Sequence, residues 1–168
     1  MQKIKVLLTV SLTMLVGAPS LLGRGRENAA AVTIQVNGKP AVMLTEQDFA
    51  KMPRHTVTAK EHGTEVSYGG VLLHDVLERA GAPFGSQLHG KALSSYVLAT
   101  ARDGYAVVYT LTEMDPDFTD SEIIVADQQN GKPLTDQQGP LRIVVPHDKK
   151  PARDLRMLDR IEIVQLRK

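Results

Sequence analysis

Glycine turns at Asn37-Gly38, Glu61-His62-Gly63, Arg102-Asp103-Gly104 and Asn130-Gly131 cut this chain into short apolar runs. That spacing constrains its fold more than any other feature. Asn-Gly and Asp-Gly tolerate the positive φ of tight hairpin turns, so alternating residues on either side read as antiparallel strands. YVLATA-RDG-YAVVYT is the clearest case, with Asp103-Gly104 expected to supply both positive-φ positions. Strands are likewise expected at 33–36 and 41–44, at HTVTAK and TEVSYGG, at SEIIVADQ, and at LRIVVP, an apolar run of buried-strand type. DRIEIVQL closes the chain with strict alternation.

Two stretches carry the other period. Thr45 caps TEQDFAKM, with Asp48 in the capping-box position and Pro53 beyond the end. In VLLHDVLERAG, Leu72, Leu73, Val76, Leu77 and Ala80 make one helical stripe, and Gly81 stands at the C-cap. LTEMDPDF reads as a single helical turn, residues 82–93 as loop, and PHDKKPARDLRM as a polar, basic connection. Seven to nine short strands with two short helices define an α+β domain rich in β, with mixed strand pairing.

The N-terminus has a different character. A basic start, MQKIK, precedes the apolar run VLLTVSLTMLV, which is short for a bilayer span, and an A-x-A pattern allows cleavage after Ala31. Residues 1–31 read as a Sec-type signal peptide and 32–168 as one exported, periplasmic domain. Arg24 and Arg26 follow the apolar run, so no twin-arginine export signal is present.

Residues 32–168 hold 16 Lys+Arg and 18 Asp+Glu, a net charge of −2 that excludes the basic surface of a nucleic-acid binder. The chain has no cysteine, which removes thiolate nucleophiles, disulfide exchange and thiolate-bound metals. His62, His74, His89 and His147 make no local metal-ligand spacing, and Ser94-Ser95 lacks a nucleophile-elbow context. No glycine group fits a nucleotide loop at a strand-to-helix junction. The acids of EMDPDFTDSE lack the turn glycine and terminal glutamate of an EF-hand. HDKKPARDLR is richer. Lys149, Lys150, Arg153 and Arg156 could bind phosphate or carboxylate, while Asp148, Asp154 and Asp159 could neutralise them internally.

Taken in order, YGGVLLHDVLERAG, YVLATARDGYAVVYTLTEMDP, NGKPL and GPLRIVVPHDKKPARDLRMLDRIEIV resemble the molybdopterin-binding domain of the sulfite oxidase superfamily, in its short periplasmic form. The resemblance covers roughly residues 32–164. It implies a β-rich fold of mixed sheets and a pocket for a pterin. Catalytic members of the family ligate molybdenum through one cysteine, expected near Thr100 or Ala101, and this chain offers none. The resemblance therefore points to cysteine-free relatives: exported pterin-binding proteins that report to membrane signalling enzymes of cyclic di-GMP through their periplasmic domains. A molybdenum cofactor-dependent periplasmic oxidoreductase is the alternative. By the same resemblance, Arg102, Asp103 and Tyr105 are expected to bind the pterin, with Tyr68 and His147 as further candidates. Lys150, Arg153 and Arg156 match the segment that holds the cofactor's phosphate. No catalytic residue and no metal ligand is expected.

Overall fold

The computed structural model describes residues 30–166, so all of the expected signal peptide except its last two residues lies outside the described part. β1 (Ala31–Val36) and β2 (Val42–Thr45) form a hairpin around Asn37 and Gly38, at φ +49° and +72°. α1 (Glu46–Phe49) follows, its first turn closed by the Thr45 N–H donating to Asp48 Oδ2 at 2.9 Å. It is shorter than the sequence predicts. Lys51 and Met52 donate to Asp48 and Phe49, so the helix tightens into an i→i+3 exit before Pro53.

β3 (His55–Glu61) and β4 (Thr64–Leu72) pair around His62 and Gly63, again both at positive φ. α2 (Leu73–Arg79) then starts one residue later than its stripe suggests, because Leu72 still belongs to the strand. The expected loop at 82–93 contains two 3-10 turns, Gly85–Gln87 and Gly90–Ser94. β5 (Ser95–Ala101) and β6 (Ala106–Thr110) flank the Arg102-Asp103-Gly104 turn. β7 (Ile124–Gln129) turns at Asn130-Gly131 into β8 (Lys132–Pro133), a two-residue strand that no apolar pattern announces. β9 (Arg142–Val144) is followed by a 3-10 turn at Pro151–Arg153 and then by β10 (Leu158–Gln165).

Two five-stranded sheets result. The first runs β2-β1-β10-β5-β6, with β1 and β10 parallel and the other pairs antiparallel. The second runs β3-β4-β7-β8, and β9 also pairs with β7; all its pairs are antiparallel. The α+β, β-rich architecture with mixed pairing is therefore as the sequence predicts.

The larger core lies between the layers. Ile34, Val97, Ala99, Ile161 and Ile163 of the first sheet meet Leu73, Val76 and Leu77 of α2 and Val71, Val125 and Ile143 of the second sheet. A smaller cluster, including Val57, Val66, Tyr68, Ile124 and Val144, covers the second sheet's other face. β7 is thus buried on both sides, which is why its apolar run is continuous rather than alternating. Each such fully buried aliphatic side chain contributes about 1.5–3 kcal/mol. Among the described residues, no helix is long and apolar enough to cross a membrane.

The two sheets are joined where the chain leaves the 3-10 turn. Leu155 exchanges both backbone hydrogen bonds with Ile143, at 2.8 and 3.0 Å, and the Leu158 N–H donates to the Leu141 carbonyl at 2.9 Å. Between them Met157 sits at φ +51°, held by donation to the Gln138 carbonyl and by acceptance from the Arg102 N–H, both at 3.0 Å. This crossover carries Asp154 and Arg156 past the end of the β5–β6 hairpin.

Candidate functional site

A cleft of about 570 Å³ opens at that junction, a size within the usual range for small-molecule sites. Its floor is charged. Arg142 interrupts the apolar β9, and its side chain is only 4% exposed. Burial of a guanidinium demands partners, and four are present. Nη1 donates to the Tyr68 hydroxyl at 2.9 Å and to Gln138 Oε1 at 3.4 Å. Nη2 donates to Glu61 Oε1 and, at 2.9 Å, to Asp154 Oδ2. The guanidinium carbon also lies 4.8 Å from the centre of the Tyr68 ring.

The partners are themselves fixed. Tyr68 is fully buried and its hydroxyl donates to Glu61 Oε1 at 2.8 Å. Asp154 Oδ1 accepts the Val145 N–H at 2.9 Å. These environments separate the two carboxyls. Burial works to raise the Glu61 pKa, but the hydrogen bonds from Tyr68 and Arg142 outweigh it and hold it below the usual range. At Asp154 burial wins over the Val145 and Arg142 interactions, and its pKa is raised. Burial, together with the hydrogen bond to Glu61, pushes the Tyr68 phenol well up, so it remains a proton donor.

The walls come from two hairpins and the crossover. His62 stands at the β3–β4 turn and Asp103 and Tyr105 at the β5–β6 turn, while Pro151, Ala152 and Arg156 face them. In the β5–β6 turn only Gly104 takes positive φ, at +86°; Asp103 does not. The loop is longer than a two-residue turn, since Ala101 and Tyr105 still share a bond of 2.8 Å. Asp103 instead uses its carboxylate, Oδ1 accepting the Tyr105 N–H at 3.0 Å. The Tyr105 hydroxyl donates to the Ala152 carbonyl at 2.7 Å, and the Tyr109 hydroxyl to the Arg153 carbonyl, so two tyrosines of one hairpin hold the Pro151–Arg153 wall.

The residues singled out from sequence thus separate into groups. Asp103, Tyr105 and Arg156 line the cleft, and Arg102 lies beside them in the turn. Tyr68 lies beneath it as a support for Glu61 and Arg142. His147 and Lys150 are exposed and are not in the lining. Arg153 is also outside it, gripped by Asp148 through two bonds of 2.8 Å and by Glu113 through one of 2.7 Å. Those hydrogen bonds, Asp148 first, raise its pKa, and its guanidinium lies 5.7 Å from the Tyr109 ring centre. Thr100 and Ala101, where the family's cysteine was expected, do not line the cleft, and Ala101 is buried in the main core.

Glu61, Arg142, Gln138 and Asp154 were not singled out as site residues. Arg142 carried the one available signal, a charge inside a run otherwise apolar from Leu141 to Val145. Among the described residues no group of His, Cys, Asp and Glu is arranged to hold a metal ion.

Residues 24–168 match the family model described as the oxidoreductase molybdopterin binding domain. The crystal structure of the sulfane dehydrogenase SoxCD from Paracoccus pantotrophus superposes with a TM-score of 0.62 at 18% sequence identity, over 80% of this chain. This chain spans 38% of that one, so the likeness is one of fold. No curated protein matches the chain.

Proposed function

The chain belongs to the oxidoreductase molybdopterin binding domain family, and on that premise we propose an exported pterin-binding protein that works without catalytic molybdenum. Its output is to modulate a membrane signalling partner of the cyclic di-GMP type through that partner's periplasmic domain. The observation that carries the reading is the floor of the cleft, where Glu61, Arg142, Asp154 and Tyr68 stand as a fixed polar platform.

The family's metal-bearing cofactor fits these residues in one part only. In the catalytic members of the family that this chain resembles, the protein's ligand to molybdenum is a cysteine thiolate, and this chain has no cysteine to supply it. The pterin ring fits better. It is flat, with a donor–acceptor edge, and needs a few fixed polar partners in a cleft of this volume. Asp103 keeps Oδ2 free of hydrogen bonds among the described residues, Tyr105 is pinned as a rigid wall, and Arg156 offers a planar cation. Export rests on the basic-then-apolar start and the A-x-A pattern ending at Ala31.

The test is on protein recovered from the periplasm of its own host. Denaturation should release a fluorescent pterin close to one per chain, with no molybdenum by elemental analysis and a chain beginning at Val32 by mass spectrometry. Molybdenum near one per chain would overturn the reading in favour of an oxidoreductase. Absence of both pterin and metal would leave a scaffold for protein contacts.

A further inference from the structure

We infer that the cleft selects its ligand through Glu61, which reads a hydrogen-bond donor edge, and that its excess of carboxylates turns away a ligand carrying a phosphate. The inference rests on the pterin reading and adds which chemical form of the ligand is taken.

Glu61 spends one oxygen on the floor. Oε1 accepts from Tyr68 and from Arg142, while Oε2 has no hydrogen bond among the described residues and belongs to a residue that lines the cleft. A carboxylate oriented by two donors presents its second oxygen at a fixed place, which is what an N–H edge of an aminopyrimidine ring requires. Asp154 offers no oxygen free in the same way, since Oδ1 accepts from the Val145 N–H and Oδ2 from Arg142.

The supply of positive charge is smaller than the sequence implies. Arg142 is neutralised by Glu61 and Asp154, and Arg153 by Asp148 and Glu113. Lys149 and Lys150 are exposed and outside the lining. Taken together, the arginines that line the cleft, Arg142 and Arg156, face three carboxylates, Glu61, Asp103 and Asp154, an excess of one negative group. A phosphate monoester brings nearly two negative charges into that field. Like charges in a partly desolvated cleft repel, so the uncharged ligand is preferred.

The experiment titrates the purified protein with a 6-hydroxyalkyl pterin and with its phosphate monoester, followed by pterin fluorescence. The alcohol should bind about tenfold or more tightly than the phosphate. Glu61→Gln should weaken the alcohol about tenfold or more, the range expected for a hydrogen bond to a charged acceptor, with the circular dichroism unchanged. Because Glu61 also supports the floor, Asp103→Asn on the exposed turn gives a second readout, a narrower gap between the two ligands. Equal or tighter binding of the phosphate overturns the inference and leaves the pterin reading standing. Wild-type affinity for the alcohol in Glu61→Gln removes Glu61 from the role. Binding of neither ligand brings down both readings.

Discussion

At the scale of single residues, Arg142 decides the most. Its side chain and that of Asp154 are each 4% exposed, and with Glu61 they place one positive and two negative groups under the cleft. Such a cluster contributes little net stability when complete, yet breaking it leaves carboxylates buried without a counter-charge. Arg142→Leu should therefore cost about 3–5 kcal/mol, read as a lower urea midpoint with an unchanged slope. Tyr68→Phe keeps the ring under the guanidinium and loses only the hydroxyl, so about 1–2 kcal/mol is expected. This cluster was only half legible in the sequence. Asp148 does neutralise Arg153 as anticipated, but Asp154, credited to the same basic loop, turns to a strand 12 residues back. Side-chain partners across two sheets depend on how the sheets stack, and no local pattern encodes that.

At the scale of elements, the turns and the antiparallel hairpins they close were readable, and the pairings between strands distant in sequence were not. Asn37-Gly38, His62-Gly63 and Asn130-Gly131 all take the positive φ that their residue types permit. By contrast, nothing in DRIEIVQL tells that β10 lies parallel to β1 and antiparallel to β5. Nor does the sequence mark the close approach at Gly70. There β4 bulges against β7, and a Cβ on Gly70 would stand 2.2 Å from the Val125 carbonyl oxygen and 2.7 Å from the Ala126 Cα. Both obstacles are backbone, so neither can swing aside. Gly70→Ala should destabilise by about 3 kcal/mol, at the upper end for overpacking, seen as a fall in Tm. Gly69→Ala beside it meets chiefly the Gln128 and Arg54 side chains and serves as the mild control.

For the whole molecule, the carboxyl environments fix how stability follows pH. Asp148, held down first by its hydrogen bonds from Arg153, and Glu61, whose hydrogen bonds overcome burial, both have folded pKa values below the unfolded ones. Their contribution is complete above the ordinary carboxylate range and is lost as pH falls through their folded values. Asp154 is raised by burial, so it acts in the opposite sense, weakening the fold as pH rises through its folded value. Urea midpoints measured from about pH 3 to about pH 7 should show an acid limb that Asp148→Asn flattens and a gentler loss toward neutrality that Asp154→Asn removes. Equal slopes in wild type and both variants would contradict these assignments.

The placement of β10 has a consequence in time. It fills the middle of the first sheet, between β1 and β5, yet it comes after every other strand in chain order. Until residues 158–165 have been made, β1 with β2 and β5 with β6 are separate hairpins with a gap between them, and two-stranded pieces are marginal in water. In a nascent chain of this design the first sheet stays open until those residues have been made. On the export proposed above, that delay would keep the thread soft enough to pull through a narrow translocation channel, with the sheet closing on the far side.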